Sequence, residues 1–148
     1  MNELIEDYLC SRGARFFRGH HADDYFFLVD VLVDGRHKRL TVHLQAAGGG
    51  VQISIAPDRY YPAEARDLFD ELVARWNLAE PGAEVVIHRS SDPGLVGVSV
   101  RDAARPESVA GLSAFVDHAV GAAIDLFAGM RRVAAPTDQG GPMLRDAG

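Results

Sequence analysis

The chain has 148 residues, a length that suits one folded domain and leaves no room for a second. Its residues are 47% hydrophobic and 24% charged without a run of about 18 apolar residues, which indicates a water-soluble globule that does not span a membrane. The net charge is -6 and the longest basic run is His37-Lys38-Arg39, which argues against nucleic-acid binding but is compatible with a local basic patch. The N-terminus lacks the uninterrupted apolar run of a secretory signal, so we expect a cytoplasmic protein.

The first predicted elements are a short helix and a strand hairpin. Residues 2–11 carry apolar side chains at helical spacing, and residues 25–33 are rich in aromatic and β-branched residues typical of a strand. Asp34-Gly35 is a turn signal, because both residues tolerate the positive φ that a tight hairpin needs. It predicts that residues 25–33 pair with residues 36–46, where apolar and polar residues alternate.

A third strand, a second helix and a second hairpin follow. Residues 51–56 alternate in the same way and complete a three-strand meander. Pro62 suits the first turn of a helix, and residues 65–76 form an amphipathic stripe. Residues 84–90 and 95–101 read as strands joined by a turn at Pro93-Gly94.

The last helix opens at Pro106 and keeps a wide apolar face through residues 109–130. The tail, residues 133–148, has little apolar content and is predicted to be disordered, which leaves residues 1–132 as a single domain. Hairpin-linked strands without βαβ crossovers indicate one antiparallel sheet. The predicted fold is α+β: a helix, a three-strand antiparallel meander, a helix, a two-strand hairpin and a long C-terminal helix packed on one five-strand antiparallel sheet.

The residues that could carry chemistry do not form a recognisable site. One loop holds two histidines and two aspartates that could bind a divalent metal, but no further ligand stands at a supporting spacing, so a solvated loop is the simpler interpretation. These are His20, His21, Asp23 and Asp24. Cys10 is the only cysteine, which excludes an intrachain disulfide. Ser90-Ser91-Asp92 lacks a nucleophile elbow and reads as a turn. We predict no catalytic residue, no metal and no cofactor.

The first strand is apolar on both faces. If Phe27 faces the helices, its neighbours Phe26 and Leu28 face the other side of a sheet that should be wet there. The second helix, a second copy of the chain, or a segment of another protein could cover them. Trp76, on the inward stripe of the second helix, suits a core or an interface. The residues predicted to bind a partner are Phe26, Leu28, Leu32 and Trp76.

Four features together resemble the YbjN family of small bacterial proteins and the type III secretion chaperone-like fold. They are the acidic opening helix with Glu3-Leu4-Ile5, the strand pair around Asp34-Gly35, the helix 65–77 that ends in Trp76-Asn77, and the terminal helix 109–130. The resemblance covers about residues 3–132. It implies a dimer-forming domain without an enzymatic reaction, whose secretion-chaperone relatives hold an extended segment of another protein against apolar patches.

Residues and resemblance together predict a non-enzymatic protein-binding module that acts as a chaperone, adaptor or regulator. It would hold an apolar or extended segment of a partner protein, form a homodimer, and bind neither nucleic acid nor a membrane. The alternative is a small-molecule or metal-binding domain, or an enzyme, whose site is assembled from residues distant in sequence such as His20, His43 and His88.

Overall fold

The computed structural model describes residues 1–79 and 82–133. Within these residues three α-helices and seven strands follow one another in the chain. They are α1 (Asn2–Arg12), β1 (Phe16–Arg18), β2 (Asp24–Val33), β3 (Arg36–Ala47), β4 (Gly50–Pro57), β5 (Tyr61–Pro62), α2 (Arg66–Ala79), β6 (Glu84–Arg89), β7 (Leu95–Ala104) and α3 (Val109–Val133). The predicted disordered tail lies outside the described residues, except for Val133, which ends α3.

All strand pairs in the described residues are antiparallel and form one sheet. Its order is β1-β2-β3-β4-β7, with β6 on the far side of β7 and β5 beside the start of β7. The predicted α+β class is confirmed, and β1 and β5 extend the predicted five-strand sheet to seven. Both are too short to show an alternating pattern, because they contain three and two residues.

The residues before α2 depart from the prediction. Pro62 was expected in the first turn of the second helix, but it ends β5 and precedes a 3₁₀ turn, Ala63–Ala65. Tyr61 pairs with Val96 on β7, and this pairing keeps Pro62 extended. The helix therefore begins at Arg66, after the chain has crossed the end of the sheet.

The core lies between one face of the sheet and the helices α1 and α3. Alternate residues of β2, β3, β4 and β7 point into it, and α3 contributes a buried stripe. The stripe of α3 is Leu112, Val116, Ala119, Ala123, Leu126, Phe127 and Met130. By length and composition α3 could also cross a membrane, and its buried stripe packs into the core of the domain.

The second helix buries a narrower face than its pattern predicts. Phe69 is fully buried and packs edge-on against Tyr61, with the ring centroids 5.0 Å apart. Leu68, which the pattern places on the same stripe, is 56% exposed. The reason is that α2 contacts the rest of the domain mainly through α3 and β6, so only the sector around Phe69 is covered.

Candidate functional site

The face of the sheet that turns away from the helices carries the surplus apolar residues of β2. Phe27 is 1% exposed and pairs with the buried Val42 of β3, so it belongs to the core. Leu28 and Leu32 point the other way and are 49% and 55% exposed. The predicted two-faced character of this strand is confirmed. We call this side of the sheet the open face.

Phe26 and a residue that the sequence analysis missed complete the apolar part of the open face. Phe17 of β1 pairs with Phe26 and is 62% exposed. Phe26 is half-buried, because its ring stacks on the imidazole of His43 with the centroids 4.4 Å apart. We call Phe17, Phe26, Leu28 and Leu32 the apolar strip. The adjacent aromatic pair Phe16-Phe17 was the available signal for the missing residue, but three residues show no periodicity.

The outer edge of β2 is only half covered by β1. In the register, β1 pairs with Tyr25, Phe26 and Phe27 and then ends. Within residues 1–79 and 82–133, the remaining residues 28–33 of β2 pair with β3 alone. In an antiparallel ladder every second residue directs both its N–H and its C=O toward the same neighbour. Every second residue of 28–33 therefore offers backbone hydrogen-bonding groups at a free edge.

A side-chain network holds β1 and α1 in this position. The hydroxyl of Tyr25 donates a hydrogen bond to Glu6 at 2.8 Å, and Arg18 donates to the same carboxylate oxygen at 2.6 Å. Arg18 also lies over the Tyr25 ring, 4.9 Å from its centroid. Burial and the bond to Glu6 raise the pKa of Tyr25, so its hydroxyl remains a donor at neutral pH.

Trp76 does not join the apolar strip. It is half-buried on α2 and packs against the core, on the helix layer of the domain. The next residue, Asn77, accepts a hydrogen bond from the backbone N–H of Val85 at 3.2 Å, which fastens the end of α2 to β6. The four residues predicted to bind a partner are therefore divided between two layers, with Phe26, Leu28 and Leu32 together and Trp76 apart.

Beside the apolar strip, the open face forms a polar cleft of ≈ 490 Å³. Its polar lining comes from four strands: His43, Gln45, Gln52, Ser54, Glu84, Arg101 and Asp102. Within the described residues, His43 is hydrogen-bonded to Asp24 at 3.2 Å, and Asp102 accepts a hydrogen bond from the backbone N–H of Ala103 at 2.7 Å. The other five side chains keep their donors and acceptors available to a ligand.

The histidines named as a possible scattered site do not come together. His43 lines the polar cleft, His88 lies over Gly97 of β7, and His20 is exposed in the loop before β2. The residues described by the structure contain no group of three His, Cys, Asp or Glu side chains that could hold a metal ion.

Comparison with known proteins relates the chain to one fold. No protein-family model matches it, and no curated protein sequence matches it. Among solved structures, the crystal structure of YbjN from E. coli, described as a candidate transcription regulator, matches with a TM-score of 0.63 and 9% sequence identity. The match covers 88% of this chain and 90% of that chain. The domain therefore has a YbjN-like fold. The predicted resemblance to type III secretion chaperones stays a prediction.

Proposed function

We propose that the protein is a non-enzymatic protein-binding module that takes up an extended segment of another protein along the free edge of β2. The observation that carries the proposal is the coincidence of two features on one strand. Residues 28–33 have an unpaired backbone edge within the described chain, and the same stretch exposes Leu28 and Leu32. Such an edge is a template for strand addition, in which backbone hydrogen bonds supply affinity and alternate side chains supply specificity.

The exposed leucines add an apolar contribution to this pairing. An extended segment in register with β2 places its alternate side chains beside Leu28 and Leu32. Covering a half-exposed leucine contributes about 1 kcal/mol by the usual area relation. Burial of the two leucines therefore adds about 2 kcal/mol to the backbone hydrogen bonds, each of which contributes about 0.5–1.5 kcal/mol net.

Asp30 lies between the two leucines on the open face, and its negative charge influences which partner segments can pair with β2. Only one of its carboxylate oxygens has a partner in the described chain, Arg39 at 3.4 Å. A partner segment with a lysine or arginine opposite Asp30, and apolar residues two positions to either side, complements this strand in charge and in apolar contact. In a second copy of the chain, the register that pairs Leu28 with Leu32 places Asp30 opposite Asp30, which is unfavourable. This edge thus fits another protein better than it fits a homodimer, and the homodimer stays a prediction.

The fold comparison supports the same class of function. The similar structure is that of a candidate transcription regulator and not of an enzyme. A regulator or adaptor that acts through another protein needs a surface which that protein can recognise, and the free edge of β2 offers one.

The test combines partner capture with mapping of the bound edge. The purified chain and its Leu28→Ser/Leu32→Ser variant are used to capture partners from the source cell, and hydrogen exchange of the captured complex is measured. We expect recovery to fall at least tenfold in the variant, and amides of residues 28–33 to gain protection in the wild-type complex. Leu68→Ser is the matched control, because Leu68 is an exposed leucine on α2. Unchanged recovery in the double variant, or protection confined to other residues, would contradict the proposal.

A second candidate function rests on the polar cleft. Its volume of ≈ 490 Å³ suits a small molecule, and its polar side chains come from β3, β4, β6 and β7, which are distant in sequence. Arg101 is the cation of this lining and pairs in register with Ser54 and Glu84. If the cleft is the functional site, a thermal-shift screen of polar metabolites should give a ligand whose stabilisation disappears in Arg101→Gln and persists in Arg105→Gln. Stabilisation that survives Arg101→Gln would place the ligand elsewhere.

A further inference from the structure

The free edge of β2, residues 28–33, lies beside the point where the chain leaves the described residues. Helix α3 ends at Val133, and Arg132 donates a hydrogen bond to Asp34 at 3.2 Å. Asp34 directly follows the last residue of β2. Residues 134–148, which lie outside the described residues, therefore start next to one end of the free edge.

These last residues of the sequence contain one short segment that complements the free edge. Arg145 is the single cation among residues 134–148, and Met143 and Leu144 are the two large apolar residues. Alternate side chains of an extended chain share a face, so Met143, Arg145 and Ala147 form a row with a cation between two apolar residues. The free edge carries the matching row on the open face: Leu32, Asp30 and Leu28.

One register brings all three pairs together. A chain that enters from the turn after β2 and runs back along the strand is antiparallel to it, as are all strand pairs in the described residues. With Arg145 opposite Asp30, residues 142–147 face residues 28–33, which are the six residues that β1 leaves unpaired. Pro142 then occupies the first position of an edge strand, where its missing N–H is tolerated.

The other face of the added segment also meets suitable neighbours. In this register Leu144 falls opposite Val31, which is partly buried against the core. Asp146 falls between Val31 and Phe27, and the guanidinium of Arg12 lies over the Phe27 ring, 5.4 Å from its centroid. Arg12 forms no ion pair with any residue that the structure describes, so the charge of Asp146 complements it.

The connection from α3 is long enough for this register. Eight residues separate Val133 from Pro142 and can span about 25–30 Å, whereas the end of α3 already contacts the turn after β2. A short tether holds a segment at an effective concentration of roughly a millimolar, so even a weak contact is substantially occupied. We propose that residues 142–147, the C-terminal segment, dock as an added strand on residues 28–33 and compete there with the partner segment. The competition rests on the proposed function of the same edge.

This competition sets a threshold for the partner. A segment of another protein pairs only with chains whose C-terminal segment is displaced, so its apparent affinity falls by the fraction of edges that are occupied. Ala147 is the weakest element of the C-terminal segment, because it offers little apolar area to Leu28. A partner with a larger apolar residue at that position, and a cation opposite Asp30, displaces the C-terminal segment.

The first test measures amide hydrogen exchange of the full chain without a partner, in the wild type and in Arg145→Glu. Amides of residues 28–33 that point to the free edge should exchange about fivefold faster in the variant, because an opposite-charge pair with Asp30 becomes a like-charge pair. Asp30→Arg should have the same effect, and Asp30→Arg combined with Arg145→Glu should restore slow exchange. Arg105→Glu is the matched control, since it changes the charge equally at an exposed arginine after β7. Equal rates in the wild type and Arg145→Glu, or no recovery in the double variant, overturns the proposal.

A second measurement separates the C-terminal segment from other occupants of the edge. A synthetic peptide of residues 139–148, added at millimolar concentration to the Arg145→Glu chain, should restore slow exchange of residues 28–33. The same peptide carrying Arg145→Glu should not. Slow exchange in the wild type should be independent of protein concentration, and an increase with concentration would assign the edge to a second copy of the chain and overturn the proposal.

The two proposals for this edge fail in different ways. If the C-terminal segment leaves residues 28–33 unprotected but a captured partner protects them, the internal competitor is wrong and the proposed function stands. If the C-terminal segment protects the edge and no partner displaces it, the internal strand is supported and strand addition by another protein is wrong.

Discussion

Phe27→Ala is expected to lower the free energy of unfolding by about 3–5 kcal/mol, a large share of the total stability of a small domain. Phe27 is fully buried, its ring meets that of Tyr8 edge-on at 6.5 Å, and Arg12 lies over it at 5.4 Å. Removing the ring leaves a cavity between the sheet and α1 that the rigid sheet cannot fill. Leu28→Ala, one residue further along the strand, should cost less than about 1 kcal/mol, because Leu28 faces solvent.

The measurement is urea-induced unfolding of both variants, followed by circular dichroism. The slope of the transition should stay the same, so the difference should appear as a shift in the midpoint. Similar losses in the two variants would mean that both faces of β2 are covered. In that case the open face would already be occupied within the protein, and the proposed strand addition would lose its basis.

The two-faced character of β2 could be predicted because the side-chain period of a strand is two. Once Phe27 faces the core, the positions of Phe26, Leu28 and Leu32 follow without further information. The free edge beside them could not be predicted, because it depends on where β1 stops pairing, and β1 has only three residues. Strand pairing over so short a length leaves no pattern in the sequence.

Trp76 shows the corresponding limit for helices. The helical spacing of the apolar residues in α2 correctly indicates that Trp76 turns toward the domain. The spacing does not indicate which part of the domain the helix packs against. Trp76 was therefore predicted to bind a partner together with Phe26, Leu28 and Leu32, whereas the structure places it on the helix layer.

Gly97→Ala is expected to destabilise the domain only slightly, by about 1 kcal/mol or less. Gly97 of β7 pairs directly with His88 of β6, and the imidazole lies over it. A Cβ on Gly97 would overlap Cε1 of that ring and come within 2.8 Å of Nδ1 and 2.9 Å of Nε2. The alanine therefore forces His88 into another rotamer, which costs little because this side chain is exposed and only the far end of its ring is in the way. The backbone of Gly97 does not have a positive φ. The contact with His88, and not the backbone conformation, therefore disfavours a side chain at this position.

A double-mutant cycle with His88→Ala isolates this steric conflict. With the imidazole removed, alanine at position 97 meets no ring, and the lower backbone entropy of its unfolded chain should make Gly97→Ala neutral or stabilising by up to about 1 kcal/mol. The sign of the effect should thus reverse between the two backgrounds, as unfolding free energies in urea can show. A destabilisation of equal size in both backgrounds would mean that the alanine methyl group clashes with other atoms of the sheet and not with His88. The reversal would instead show that the glycine is required only because a histidine from the neighbouring strand occupies the space above it.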